Sequence, residues 1–229
     1  MLPFDVQPLE SRMLLSGAGL SRTGVLNVLG TIRNDTILLT VSPDDVETLA
    51  VSVNGRVFKF KTANVKQVGV SGGTGDDFIA YDEYARNINY FDPLSTIFGG
   101  AGNDTIVSGG GESRIYAGAG NDDVTGSVRR DIVYAEAGND TVDGGDGRDY
   151  IRGGTGNDLL IGGLASDRLF GDEGDDSFIT SNDIPAGIDI RPFQFPATFD
   201  LVEGGAGAHD RADADPVDRL IDVEGTFHS

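Results

Sequence analysis

Residues 99–107 read GGAGNDTIV, and close copies of this stretch recur along the chain at a spacing of nine residues. Clear copies are GGTGDDFIA at 72–80 and GGTGNDLLI at 153–161. Cut in the same phase, residues 72–179 divide into twelve nonads without an insertion or deletion, and position six is Asp in nine of them. Position eight is always a large apolar residue: Ile79, Ile88, Ile97, Ile106, Ile115, Val124, Val133, Val142, Ile151, Leu160, Leu169 and Phe178.

The nonad has a direct physical meaning. Glycine at positions one, two and four permits positive φ and close backbone approach, which suits a tight turn and not a helix. One apolar residue follows in a short strand. Because a single nonad cannot bury that residue, neighbouring copies must stack and share a core.

The pattern G-G-x-G-x-D-x-U-x resembles the repeats-in-toxin (RTX, hemolysin-type calcium-binding) family. The resemblance implies an all-β fold, a right-handed parallel β-roll in which two nonads complete one coil. Twelve nonads would then form six coils. We therefore expect four segments: an export-like segment at 1–20, a small β-rich N-terminal cap at 21–71, the roll at 72–179 and a C-terminal capping segment at 180–229.

Because each turn is expected to lie above the turn two copies earlier, the two sides of the roll are read separately. The copies at 99, 117, 135, 153 and 171 all keep Gly at position four and Asp at position six. The copies at 72, 90, 108, 126, 144 and 162 are assigned to the opposite side, where several have lost the Gly or the Asp. One row is intact, and the other is eroded.

A row of stacked carboxylates indicates a metal site. Like charges at a ~4.8 Å layer spacing repel by roughly 1 kcal/mol even in water. A hard divalent cation between turns relieves this repulsion by taking oxygen ligands. The alternative is that the Asp side chains only cap their turns.

The family resemblance implies that one turn supplies carbonyls two and four plus its Asp, and that the next turn supplies carbonyls one and three plus its Asp. This predicts about four Ca²⁺ sites on the intact row. Their ligands would be Gly100, Gly102, Asp104, Ala117, Ala119, Asp122, Gly118, Gly120, Ala135, Ala137, Asp140, Glu136, Gly138, Gly153, Thr155, Asp158, Gly154, Gly156, Gly171, Glu173 and Asp176. Asp77, Asp149 and Asp167 on the opposite side are weaker candidates.

The composition restricts the partners. The chain carries 37 acidic and 17 basic residues, a net charge of −20. This charge opposes binding to nucleic acid or anionic membranes and favours a cationic partner. There is no Cys, and no apolar run is long enough to span a membrane. A disordered acidic chain is the alternative, but the regular apolar positions argue against it.

The segments before the repeat carry three further signals. LESRMLLSG at 9–17 resembles the LEPR-x-LL segment near the N-termini of many secreted planctomycete proteins, with Ser11 where Pro is usual. Asn54-Gly55 between two alternating runs predicts a type I′ hairpin. GTIRNDTIL at 30–38 looks like a divergent nonad.

No H-E-x-x-H, G-x-S-x-G or P-loop motif is present, so we expect no enzyme. The leading hypothesis is a secreted or surface-associated calcium-binding β-roll with a structural or adhesive role, folding on calcium binding. The alternative is a polysaccharide-acting enzyme or its accessory module, of the epimerase- or lyase-like β-helix type. Cell-surface or matrix polysaccharide is then a candidate partner. In the copies at 81 and 90, which lack the Gly and Asp, the aromatic residues Tyr81, Tyr84, Tyr90 and Phe91 are expected to replace the missing metal with packing, and a glycan surface is the alternative.

Overall fold

The computed structural model describes residues 16–82 and 93–180 and four short strands beyond residue 200. In these ranges the chain forms β-strands and a single 3₁₀ turn, Thr62–Asn64. In chain order the strands are β1 Gly17–Leu20, β2 Val25–Leu29, β3 Thr36–Ser42, β4 Asp45–Val53, β5 Arg56–Lys61, β6 Gln67–Thr74, β7 Phe78–Tyr81, β8 Leu94–Ala101, β9 Thr105–Val107, β10 Ser113–Ala119, β11 Asp123–Thr125, β12 Ile132–Ala137, β13 Thr141–Asp143, β14 Tyr150–Thr155, β15 Leu159–Ile161, β16 Arg168–Glu173, β17 Ser177–Ile179, β18 Leu201–Gly205, β19 Arg211–Asp213, β20 Arg219–Ile221 and β21 Gly225–Thr226.

From β6 onward, successive strands alternate between two sheets, and each strand pairs in parallel with the strand one coil away. The first sheet has the order β1-β2-β6-β8-β10-β12-β14-β16-β18-β20. The second has the order β21-β19-β17-β15-β13-β11-β9-β7-β3-β4-β5. The all-β parallel β-roll expected from the nonads is therefore confirmed.

The position-eight residues form the core between the two sheets. Ile97, Ile115, Val133, Ile151 and Leu169 are direct register partners across β8, β10, β12, β14 and β16, and all are fully buried. Their counterparts in the second sheet, from Ile79 to Phe178, are also fully buried. The predicted inward stripe is thus confirmed, except that Ile88 lies outside the described residues.

Within residues 72–179, one coil is longer than the others. Most turns stack at a spacing of 18 residues, but Asp77 stacks on Asp104, 27 residues away. The strand register agrees, because Gly73 pairs with Gly100. Although the nine-residue repeat is unbroken in the sequence, the coils are therefore not all two nonads long. The physical reason is that the copies at 81 and 90 lack the Gly and Asp that form a turn, so the chain takes three nonads to return to β8.

This longer coil corrects one sequence interpretation. The copy at 72 belongs to the same side as the copies at 99 and 117, not to the eroded side. Tyr81 is 3% exposed and its hydroxyl lies 2.9 Å from that of Ser95, so it packs in the core, as expected, and the alternative of a glycan surface is wrong for this residue. Tyr84, Tyr90 and Phe91 lie outside the described residues.

The roll also begins earlier than expected. Strand β2 pairs in parallel with β6, and β3 pairs in parallel with β7, so that Ile37 lies beside Ile79. The turn between β2 and β3, at residues 30–35, is the first part of the divergent nonad at 30–38. Segment 21–71 thus contributes one coil, followed by the antiparallel strands β4 and β5. Their hairpin turns at Asn54 and Gly55, with φ values of 52° and 79°, as the Asn-Gly pair predicted.

Candidate metal centre

On one side of the roll, the Asp residues at position six form one continuous column. Their side chains are buried, and each backbone N–H donates to Oδ1 of the Asp in the following turn. The distances are 2.7 Å from Asp35 to Asp77, 2.8 Å from Asp77 to Asp104, 2.8 Å from Asp104 to Asp122, 2.8 Å from Asp122 to Asp140, 2.9 Å from Asp140 to Asp158 and 2.9 Å from Asp158 to Asp176. We call this series the main row.

A second column runs beside the first at position five, with the opposite hydrogen-bond direction. Here the N–H of each residue donates to Oδ1 of the residue in the preceding turn. Asn121 donates to Asn103 at 2.7 Å, and Asn139 donates to Asn121 at 2.8 Å. Because the two columns connect the same turns in opposite senses, they fix the spacing and register of the row.

In five Asp residues of the main row, the second carboxylate oxygen has no donor among the described residues. Oδ2 is buried and accepts no hydrogen bond in Asp77, Asp104, Asp122, Asp140 and Asp158. A buried polar atom without a partner costs about 1–3 kcal/mol, and a charged group costs more. The fold therefore presents a series of buried anionic oxygens that need a positively charged partner.

Backbone carbonyls converge on the same spaces between turns. A Cβ added to Gly118 would clash with the carbonyl oxygen of Gly100, which shows that this carbonyl faces the next turn. A Cβ added to Gly99 would clash with both Asp104 Oδ2 and the carbonyl oxygen of Ala117. Carbonyls of consecutive turns and an unpartnered carboxylate oxygen thus meet where glycine leaves room.

This donor set suits calcium. It consists of carboxylate and carbonyl oxygens, the ligands that Ca²⁺ takes in flexible numbers. The donor set contains few side chains: within the described part of the chain, no group of three or more acidic or His side chains converges. The residues present fit a hard cation between successive turns.

The electrostatics of the row point the same way. Burial, with the neighbouring carboxylates adding to it, raises the pKa of Asp122 to about 7 and that of Asp158 to about 7. Burial also raises the pKa of Asp77 to about 6 and raises the pKa values of Asp104 and Asp140. Without a cation, these carboxyls hold protons more tightly than free Asp does.

The opposite side contains a shorter column, in which Asp131 donates its N–H to Asp149 and Asp149 donates to Asp167, both at 2.8 Å. Oδ2 of Asp149 accepts no hydrogen bond, and burial raises the pKa of this group to about 9. Asp131 is different, because its Oδ2 accepts the N–H of Ser127 at 2.6 Å.

The structure brings most of the predicted site residues together. The turns at 99, 117, 135, 153 and 171 stack in register, as the sequence predicted. Asp77 joins this row, whereas Asp149 and Asp167 lie in the opposite one. Each predicted position-three carbonyl also accepts the N–H of a Gly in the preceding turn, at 2.8 Å: Ala119 from Gly102, Ala137 from Gly120, Thr155 from Gly138 and Glu173 from Gly156.

Two features escaped the sequence interpretation. Asp35 heads the main row, although its nonad, GTIRNDTIL, was recognised as divergent. The position-five column was also missed, although Asn at that position in the copies at 99, 117, 135 and 153 was a visible signal.

Comparison with known families agrees with this geometry. A family model described as the RTX calcium-binding nonapeptide repeat matches in four copies, at residues 98–128, 116–151, 125–160 and 143–178. No curated protein matches the chain. Among the described residues, no helix is long and apolar enough to cross a membrane. Residues 98–178 therefore match the RTX calcium-binding nonapeptide repeat, and this match supports an RTX-type, calcium-binding β-roll in that part of the chain.

Proposed function

We propose that the protein is exported, that its roll folds as calcium fills the main row, and that it has a structural or adhesive role. The observation that carries this proposal is the burial of five stacked carboxylates whose Oδ2 atoms have no donor among the described residues: Asp77, Asp104, Asp122, Asp140 and Asp158. In a metal-free chain at neutral pH these anions oppose folding. Because the site forms only when the turns stack, calcium binding and folding are coupled.

The proposed ligands follow the turns along the main row. In the first space that the sequence predicted, Gly100, Gly102 and Asp104 face Ala117, Ala119 and Asp122. The next three spaces repeat this arrangement: Gly118, Gly120 and Asp122 with Ala135, Ala137 and Asp140; Glu136, Gly138 and Asp140 with Gly153, Thr155 and Asp158; and Gly154, Gly156 and Asp158 with Gly171, Glu173 and Asp176. The position of Asp77 adds one space above them, between the turns at 72 and 99.

Export follows from the expected affinity. Calcium modules that work outside cells bind with dissociation constants of about 10⁻⁴–10⁻³ M. A resting cytosol would leave such sites empty, and the roll would then stay unfolded. Fractionation of the native host should find the protein outside the cytoplasm, and recovery only from cytosol would contradict this proposal. The LEPR-x-LL-like segment that suggests an export signal lies outside the described residues.

Calcium titration at neutral pH tests the folding proposal. Circular dichroism and protease resistance should both rise with calcium in the millimolar range. Magnesium should be a poor substitute, because it demands octahedral geometry and keeps its waters. A chain that keeps full β signal and protease resistance in excess chelator at pH 7.5 would overturn coupled folding.

A second candidate function is an accessory module that binds an anionic polysaccharide. It is favoured by the outer face of the first sheet, which carries a ladder of aromatic rings. The centroid distances are 5.0 Å for Phe98–Tyr116, 5.2 Å for Tyr116–Tyr134, 6.1 Å for Tyr134–Tyr150 and 5.1 Å for Tyr150–Phe170.

Arginines give this outer face a charge opposite to that of the whole chain. Arg114, Arg130 and Arg168 are exposed and form no ion pair within the described residues. Arg114 and Arg130 line one depression together with Leu94, Thr96, Glu112, Ser113 and Ile132. On a protein with net charge −20, unpaired arginines beside apolar rings suit an acidic polymer better than a neutral one.

Binding of the calcium-loaded protein to polygalacturonate, compared with a neutral polymer, tests this second function. Arg114→Ser/Arg130→Ser should weaken the binding at least tenfold. Arg148→Ser is the matched control, because it removes an exposed arginine from a turn and not from the aromatic face. Equal binding by the double variant and the control would dismiss the candidate.

A further inference from the structure

Two turns of the roll share a sequence that differs from the glycine-rich one. They read GTIRND at 30–35 and GSVRRD at 126–131, so that both place a hydroxyl residue at position two and Arg at position four. The other turns that carry Asp at position six have Gly, Glu136 or Asp172 at position two, and all of these adopt positive φ. Thr31 and Ser127 do not adopt positive φ.

The two hydroxyl turns also share one set of hydrogen bonds. The N–H of Thr31 donates to Asp35 Oδ2 at 2.5 Å, and its hydroxyl donates to the same atom at 2.8 Å. In the second turn, the N–H of Ser127 donates to Asp131 Oδ2 at 2.6 Å. In each turn the position-four N–H then donates to the hydroxyl, at 3.1 Å from Arg33 and 3.0 Å from Arg129.

The remaining oxygen of each carboxylate is also occupied. Asp35 Oδ1 accepts a hydrogen bond from the Asn54 side-chain amide, and Asp131 Oδ1 accepts the N–H of Ser113 at 2.6 Å. Neither Asp therefore has a vacant oxygen facing the next turn. This is the opposite of Asp104 and Asp149, whose Oδ2 atoms accept nothing.

We infer that the turns at 30–35 and 126–131 are calcium-free turns. In these turns the N–H of the position-two residue donates to the Asp Oδ2 that would contact the ion in the other turns. The spaces that follow them, between the turns at 30 and 72 and between those at 126 and 144, then hold no ion. The inference rests on the proposed ligand arrangement, because it defines these turns by contrast with the binding turns.

The positions of the two turns give them a role. Asp35 donates its N–H to Asp77 and thereby heads the main row, whereas Asp131 donates to Asp149 and heads the opposite column. Each series of carboxylates proposed to bind calcium thus starts from a turn in which both oxygens of the Asp already accept hydrogen bonds. Such a turn presents an ordered N–H to the first carboxylate of its series before any ion binds.

Counting bound calcium per chain tests the inference. Ser127→Gly/Arg129→Gly restores glycine at positions two and four, so that position two can take the positive φ of the other Asp turns and withdraw its N–H from Asp131 Oδ2. We expect this variant to bind one more ion than the parent at saturation, measured by equilibrium dialysis with metal analysis. Asp131→Asn should leave the parent count unchanged and should remove the gained ion from the double variant.

Several outcomes separate this inference from the proposed function. A loss of one ion in Asp131→Asn of the parent, or an unchanged count in a folded double variant, would overturn the inference. If the double variant does not fold in calcium, the count of Asp131→Asn in the parent, together with the equivalent variant Thr31→Gly/Arg33→Gly, decides the question. Failure of the proposed function has a different signature, namely an unchanged ion count in Asp140→Asn.

Discussion

Asp140 and Asp131 are both buried, and they lie nine residues apart, yet their carboxylates have different surroundings. Asp140 has an Oδ2 without a donor, whereas both oxygens of Asp131 accept backbone N–H groups. We therefore expect Asp140→Ala to lower the number of bound calcium ions and to raise the calcium midpoint of folding several-fold.

Asp131→Ala should keep the parent ion count but lower the stability of the calcium-saturated roll. Two buried N–H groups lose their acceptor, at a cost of about 1–3 kcal/mol each. Metal analysis and chemical denaturation in saturating calcium separate the two effects. If both variants lose ions equally, the distinction between the turn at 126–131 and the proposed calcium-binding turns is wrong.

Glu136 is a second residue whose conformation has a measurable consequence. It occupies position two of its turn with a φ of 80°, a region that costs a non-glycine residue about 1–2 kcal/mol. Glu136→Gly should make the calcium-loaded roll more stable than Glu136→Ala by about 1 kcal/mol. Both variants remove the same charge, so their difference in denaturation midpoint reports the backbone conformation alone. Equal stability of the two variants would contradict this explanation.

At the scale of the element, the strands of the first sheet are joined by their outward rings as well as by the core. Tyr116 stacks on both Phe98 and Tyr134, whereas Phe98 is the last ring of the ladder among the described residues. Aromatic pairs contribute about 0.5–1.5 kcal/mol beyond area burial. Tyr116→Ala should therefore cost more than Phe98→Ala in denaturation at saturating calcium. An equal or smaller loss for Tyr116→Ala would show that the ladder does not stabilise the sheet.

The elements also show how far the sequence determines the structure. The apolar position eight and the turn glycines predict the strands and turns from β8 to β17, because periodicity and turn chemistry agree there. The phase of nine cannot reveal the longer coil after β7, since a nonad can keep phase without forming a turn. The contact between Ser127 and Asp131 was equally hidden, because it depends on the φ of position two.

At the scale of the whole molecule, protons and calcium compete for the same carboxylates. In the metal-free roll, the pKa values of Asp77, Asp122 and Asp158 are raised from 3.8 to between about 6 and 7, with burial as the main cause. The folded chain therefore binds more protons than the unfolded chain between about pH 4 and pH 7. By linkage, the stability of the metal-free roll falls as pH rises through this window.

We therefore predict that the chelated chain has more β signal and protease resistance at pH 5 than at pH 8. The calcium midpoint of folding should be higher at pH 5 than at pH 8, because protons occupy the carboxylates that calcium needs. The net charge of −20 gives a general repulsion that also falls at low pH. Repeating the measurement in 1 M salt, where the Debye length is about 3 Å, screens that general repulsion. The effect of pH on the buried carboxylates remains. If the chelated chain instead gains structure as pH rises from 5 to 8 in high salt, the carboxylate column does not control folding.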